Sequence, residues 1–396
     1  MFAVLSPARK ALRRLAFAAA MLGLAACDAV PVPGLGGANS GGPAIDPAKP
    51  VPVALLVPKS DAGAASVAQS LENAARLAIA SLGGVKIDLR VYDTAGSPST
   101  AAAQAQRAAD EGAKIILGPL FGEAANAAGK QVIDDGINVL SFSNNAAIAG
   151  GNVFILGPTF DNTADRLMSY ARRNGHKAVV VVHSNDVPGA TGLAAVRKAA
   201  LSNGINVASV HGYTLSIEGV NATARAAAGA AAQAGANSVF ITTDATNAAM
   251  PILLQVMPEA GLNPAQTKYV GLTRWDVRPD LFSFPGAQGA WFALPNQAAQ
   301  NAFEARYRAT YGSEPHPLAG LAFDGIAAIG ALAAQGRSDA LSGRALTQAS
   351  GFQGTGGVFR LRADGTNQRA LAVASVQNNQ LVILDPAPNS FGGAGF

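Results

Sequence analysis

Side chains able to hold a small molecule recur just past the apolar runs of this chain. Ser60 follows the run 51–57, and Phe121 and Glu123 follow 114–117. Ser143, Asn144 and Asn145 follow 137–141, Asp186 follows 177–182, Thr243 and Asp244 follow 238–242, and Trp275 follows 268–272. The hydroxyls and amides of Ser143, Asn144, Asn145 and Thr243 offer hydrogen bonds to a polar ligand, and Glu123 or Asp244 can meet an ammonium. The same residue types cap helices and satisfy loop backbones, and each one taken alone reads first in that way.

Nothing in the chain reads as an enzyme. His176, His183, His211 and His316 are scattered without ligand-spaced partners, so no metal site is expected. There is no Gly-x-Ser-x-Gly elbow, and Asp134-Asp135 reads as a solvated helix end. No cofactor is expected either. The glycines between 30 and 50 lack the following Lys-Ser/Thr of a phosphate loop, and no strand precedes them. His183 reads as a hydrogen-bonded loop residue, Trp275 and Trp291 as packing within the body, and Asp324 as a structural pair or cap.

The elements that must position these residues follow from the hydrophobic periods. Apolar runs at 51–57, 86–92, 114–117, 137–141 and 152–156 read as strands, with helical spacing at 66–81, 98–111 and 123–134 between them. The alternation restarts with strands 177–182, 205–213, 238–242 and 268–272 and helices 161–173, 190–202, 221–234 and 246–257. A strand at 289–294 and helices at 297–310 and 317–335 come next. The tail, 357–362, 370–376 and 381–384, reads as an antiparallel meander. The fold class is therefore α/β: two doubly wound βα lobes with a cleft between them, plus a small C-terminal antiparallel meander. In such sheets ligands bind outside the carboxyl ends of the strands, which is where the polar loops lie. Lobe 1 is expected to comprise 51–157 and 275–350 and lobe 2 158–274 and 351–390, with crossovers near 155–160, near 270–276 and before the meander.

The first 50 residues set the location. Arg9, Lys10, Arg13 and Arg14 precede an apolar run, Leu15 to Ala26, too short to span a bilayer. The run ends in Leu24-Ala25-Ala26-Cys27, which is similar to a bacterial lipobox. Residues 1–26 are thus expected to be a lipoprotein signal peptide and Cys27, the single cysteine, the lipidated residue. Asp28 favours retention at the inner membrane, on its periplasmic side. The Pro- and Gly-rich remainder of 27–50 is a tether. Hydrophobic residues make up 49% of the chain and charged ones 14%, enough for substantial cores. The four basic residues of the signal account for the net charge of +4, so no nucleic-acid partner is expected.

Several fragments, in order, resemble the leucine-binding-protein family of type I periplasmic binding proteins. They are Val53-Ala-Leu-Leu-Val-Pro58, Gly118-Pro-Leu-Phe-Gly122, Ile137-Asn-Val-Leu-Ser-Phe-Ser143, Phe303 to Gly312, Leu321-Ala-Phe-Asp-Gly325 and Phe352 to Phe359, within a span from Val51 to Leu384. Trp275-Asp276 and Gly289-Ala-Trp-Phe-Ala-Leu-Pro295 look more like the branch of penicillin-binding protein activators, lipoproteins that stimulate a peptidoglycan synthase by contact. Amino-acid-binding members of the family hold their ligand with Ser and Thr of the first lobe and an aromatic plus an acid of the second. Here Leu120 to Glu123 offers no hydroxyl, Asn stands at 144 and 145, and Asp186-Val187-Pro188-Gly189 offers no ring.

The resemblance implies a non-enzymatic binding lipoprotein with two alternative roles. The reading leans to an activator-like regulator of peptidoglycan synthesis, whose partner is a membrane-bound synthase. The alternative is an ABC-transporter substrate-binding protein for an amino acid or related small polar solute, held in the interlobe cleft and delivered to an ABC permease. In both, acyl chains tie the protein to the membrane.

Overall fold

A computed structural model describes residues 42–392. The expected signal peptide, Cys27 and the first part of the expected tether lie outside them. No helix among the described residues is long and apolar enough to cross a membrane.

The first lobe is built as the apolar runs dictate. Strand β1 (Val51–Val57) is buried along almost its whole length, and β2 (Ile87–Asp93), β3 (Ile115–Leu117), β4 (Asn138–Ser141) and β5 (Val153–Ile155) complete a parallel sheet of order β2-β1-β3-β4-β5. Helix α1 (Ala65–Ile79) covers one face and α2 (Pro98–Asp110) and α3 (Gly122–Gln131) the other. Buried alanines, among them Ala68, Ala74 and Ala75, let α1 lie close to its neighbours. Gly118, with φ +94°, ends β3 where a Cβ would stand 2.2 Å from the carbonyl oxygen of Leu56, so no other residue fits that turn.

The second lobe comprises α4 (Phe160–Arg173), β6 (Ala178–Ser184), α5 (Val187–Ser202), β7 (Asn206–Tyr213), α6 (Ile217–Ala234), β8 (Ser238–Ile241), α7 (Ala249–Glu259), β9 (Lys268–Gly271) and β10 (Trp291–Leu294). Helices α5 and α6 begin earlier than their periodicity suggests, because Asp186 and Ser216 cap them. The chain then supplies α8 (Gln297–Tyr311), α9 (Ala319–Ala333) and the short α10 (Gly343–Leu346) to the first lobe.

Two expectations about the lobes are corrected. Residues 275–294 do not return to the first lobe. Three 3₁₀ turns over 275–287 lead into β10, which pairs in parallel with β9, Trp291 opposite Val270. The apolar side chains of that stretch, Trp275, Leu281, Phe282 and Phe292, belong to the second core and hold it there. The chain therefore crosses back at Pro295-Asn296, not near 270–276.

A small antiparallel meander does form near the C-terminus, as expected, but its strands lie in 352–369 and pack with the first lobe, not the second. Strands β11 (Phe352–Gly354), β12 (Gly357–Leu361) and β13 (Asn367–Arg369) form a separate antiparallel sheet, and Phe352, Phe359 and Leu361 pack in the first core. Only β14 (Ala372–Gln377) and β15 (Gln380–Asp385) extend the second sheet, whose order is β15-β14-β10-β9-β8-β6-β7. The described residues belong to one compact unit. Its lobes are joined at 156–160, 295–296 and 370–371.

Candidate ligand-binding site

The sequence candidates fall into two groups, one at the strand ends of each lobe. In the first lobe Ser60 is exposed and its N–H donates to Asp93 Oδ1 at 3.2 Å. Phe121, 40% exposed, precedes α3, and Glu123 lies exposed in that helix's first turn. The loops of β3 and β4 touch: a Cβ on Gly122 would stand 3.3 Å from Ser143 Oγ and 3.4 Å from Asn145 Nδ2. Ser143 Oγ accepts from the Asn145 N–H at 3.1 Å, and Asn145 Oδ1 accepts from the Ala147 N–H at 3.0 Å, while Asn144 is exposed.

In the second lobe Asp186 Oδ1 accepts from Ser184 Oγ and from the Gly189 N–H, both at 2.7 Å. Those two bonds hold its carboxyl below the usual range, the Ser184 hydroxyl contributing most. Thr243 is buried against the Tyr213 hydroxyl at 2.9 Å. Asp244 Oδ1 accepts from the N–H and hydroxyl of Thr246 at 2.8 and 2.6 Å. His183 lies in β6, opposite Gly212 of β7, and not in a loop as expected; its Nδ1 is 2.8 Å from the Ser184 carbonyl oxygen. Much of the polar capacity of both groups is spent on loop geometry.

Trp275 is removed from the candidates. It is 0% exposed, stacks on Phe292 with ring centroids 5.9 Å apart, and presents no face to a ligand. Its Nε1 has no hydrogen-bond partner.

A larger open pocket lies elsewhere, beside the crossovers. A cavity of about 550 Å³ is walled by the start of α4, the end of β9, Pro295, helix α8, the segment 315–321 and the start of α9. None of the ten sequence candidates is on its wall. Its body is apolar, with Phe160, Leu272, Val277, Phe303, Leu318 and Leu371 contributing, and charged groups enter from both lobes. Arg274, from the second lobe, gives Nε and Nη2 to Asp276 at 3.1 and 2.5 Å. Glu304, from the first, accepts from Gln300 Nε2 at 2.8 Å.

The back of this cavity is a buried polar clasp. Asp324 Oδ1 accepts from the Thr355 N–H at 2.6 Å and hydroxyl at 3.0 Å, and Oδ2 pairs with Arg369 Nη1 at 3.0 Å. Arg369 also donates from Nη2 to the Leu156 carbonyl at 2.5 Å, in the first crossover. Asn367 Nδ2 reaches the carbonyls of Ile155 and Gly157 at 2.7 and 2.8 Å. A buried carboxylate is stable only when so paired. The expectation that Asp324 makes a structural pair holds. Arg274, Glu304 and Arg369 were not anticipated, since their meeting depends on crossover positions that local periodicity does not encode. Among the described residues, no three His, Cys, Asp or Glu side chains converge to hold a metal ion.

Two parallel-sheet lobes joined by three crossovers, with a ligand-sized cavity beside the joints, define a two-lobed α/β binding protein. A sequence model of the periplasmic binding protein family matches residues 50–380, and the chain belongs to that family. No curated protein matches it. Similar solved structures include one from Rhodospirillum rubrum assigned as a branched-chain amino acid ABC transporter, 16% identical with a TM-score of 0.71, covering 85% of this chain and 100% of that one. A branched-chain amino acid ABC transporter periplasmic ligand-binding protein from Burkholderia xenovorans is 17% identical with a TM-score of 0.63, covering 86% and 96%. A solute-binding protein from R. palustris in complex with benzoate is 19% identical with a TM-score of 0.52, covering 88% and 99%.

Proposed function

We propose that this chain is the substrate-binding protein of an ABC importer and closes its lobes over a small carboxylate with an apolar body. The observation that carries this reading is the interlobe cavity. Its size, about 550 Å³, suits a small ligand, its walls are largely apolar, and charged groups enter it from both lobes. Arg274 gives Nε and Nη2 to Asp276, its Nη1 makes no hydrogen bond among the described residues, and that group would meet the carboxylate. The similar structures of a branched-chain amino acid ABC transporter ligand-binding protein and of a solute-binding protein holding benzoate support the same ligand class. The acyl anchor at Cys27, and its place at the periplasmic side of the inner membrane, belong to this proposal. A Cys27→Ser chain should leave the membrane fraction.

The test is calorimetric titration of the full chain with leucine, benzoate and their uncharged analogues. Saturable binding of an acid, lost with the analogue and weakened at least tenfold in Arg274→Gln, is expected. No binding by any of them removes the receptor reading.

The regulator reading keeps one observation in its favour. Val187, Leu215 and Ile217 are 79, 62 and 66% exposed at the adjacent ends of β6 and β7, an apolar patch suited to a protein partner. The tryptophan segments that inclined the sequence toward it are interior: Trp275 is fully buried and Trp291 is 6% exposed. A receptor must also present a face to its permease, so the patch fits both, and ligand binding separates them.

A further inference from the structure

We infer that His316 is a specificity-determining residue of the interlobe cavity, donating its Nε2–H to a hydroxyl oxygen on the body of the bound carboxylate. The inference rests on the receptor reading above and narrows its ligand class, from a carboxylate with an apolar body to one that also carries a hydroxyl. His316 lines the cavity from the first lobe, as Arg274 does from the second.

The partner of Nδ1 decides where the ring hydrogen sits. His316 Nδ1 accepts from the Leu318 N–H at 3.2 Å, and a ring nitrogen accepts only when it carries no hydrogen. The hydrogen is therefore on Nε2, which points away from the backbone that Nδ1 meets. Nε2 has no hydrogen-bond partner among the described residues and is not sealed from solvent. Since the residue lines the cavity, this N–H is offered to whatever occupies it. A serine or aspartate could take the Leu318 N–H equally well, and neither would present an N–H on the far side.

The donor is also held still. Pro315 and Pro317 flank His316, and the second of them keeps its backbone in the extended region. The His316 N–H donates to Ser70 Oγ at 2.8 Å, and Ser70 Oγ lies 3.1 Å from the Tyr307 hydroxyl, which ties this turn to α1 and α8. A fixed donor costs little ordering on binding. A site built to bond a hydroxyl rejects the analogue that lacks one, because its own polar group is then left unpaired. A hydrocarbon leaves the Nε2–H in that state, and so does an ammonium, which has no lone pair to offer. Other hydroxyls of the wall are spent within the protein: Thr273 donates to the Thr243 carbonyl at 3.3 Å and Thr355 to Asp324 at 3.0 Å.

The full chain is titrated calorimetrically with benzoate, 3-hydroxybenzoate, 4-hydroxybenzoate and 4-(aminomethyl)benzoate. At least one hydroxybenzoate should bind at least tenfold more tightly than benzoate, and the ammonium-bearing acid should gain nothing over benzoate. In His316→Phe the affinity ratio of that hydroxybenzoate to benzoate should fall to near one, whereas His316→Gln, whose amide offers a donor, should keep most of it. Nitrogen-15 NMR of the histidine-labelled parent should place the His316 ring hydrogen on Nε2. The inference alone is overturned if benzoate or leucine binds and neither hydroxybenzoate binds better than benzoate, if the ratio survives in His316→Phe, or if the hydrogen is on Nδ1. If none of these acids binds, the receptor reading falls and the inference with it.

Discussion

Arg369 Nη1 stands 3.0 Å from Asp324 Oδ2, and this pair joins strand β13 to helix α9 where the first crossover passes. Both side chains are nearly sealed from water, at 11 and 1% exposure. Arg369 also lies over the Phe359 ring at 5.0 Å. One guanidinium thus touches the first lobe's core, the first crossover and the strand entering the third.

Removing the charge from one side should be expensive. Asp324→Asn leaves Arg369 buried beside a neutral amide and should cost about 3 kcal/mol, the scale of a broken buried pair. Urea unfolding of parent and variant measures it, and a loss under about 1 kcal/mol means that the pair is dispensable.

Close packing under Trp275 makes a second prediction. A Cβ on Gly271 would stand 2.3 Å from Trp275 Nε1 and 2.4 Å from Cε2. Gly271→Ala should therefore destabilise the chain by about 1–3 kcal/mol through overpacking, although φ at that position is ordinary. Tryptophan fluorescence should change with it, and an unaltered spectrum and melting point count against the tight contact.

These two sites mark what the sequence made legible. The βα alternation was readable because each strand is a short apolar run and each helix carries its own period, and Asp324 stood out as the lone charge in 319–333. The lobe boundaries were not, because β10 reads the same whether it joins β9 or begins a return. Its partner is decided by Trp275, Leu281 and Phe282 packing behind it. The cavity beside the crossovers was missed for the same reason. Loop residues such as Ser143 and Asp186 stood where strand ends place them, but their hydrogen bonds serve the loops themselves.

Acid should release a tie at the edge of the first lobe. Burial pushes the Glu72 carboxyl up, but hydrogen bonds from Lys59 and Arg76 outweigh it and hold the group below its ordinary value. Lys59 Nζ lies 2.9 Å from Oε2, and Arg76 Nη2 2.8 Å from Oε1. A carboxyl depressed in the folded state stabilises above its unfolded pKa, about 4.5, and that stabilisation is lost as pH falls through the folded value. The stability advantage of the parent over Glu72→Gln should be full at pH 7 and shrink on acidification below about pH 4.5. A gap independent of pH contradicts the pairing.

The cap at Asp186 offers a milder test. Asp186→Ala removes the acceptor for the Gly189 N–H at 2.7 Å and should cost about 1 kcal/mol, while Asp186→Asn, itself a capping residue, should cost less. Paired thermal melts give the order, and equal losses for both variants would point away from capping.

The pairing of β10 with β14 has a consequence for how the molecule is made. Trp291 meets Ser375 across that ladder, and the residues between them build helices and a sheet of the other lobe. As the chain emerges from its N-terminus, β10 must wait as an open edge of fully buried type, Trp-Phe-Ala-Leu, until the last strands arrive. A nascent chain cut before residue 372 therefore carries a sticky, unclosed sheet. Assembly of this protein is finished from its tail, and its most vulnerable moment comes late, with almost the whole sequence already made.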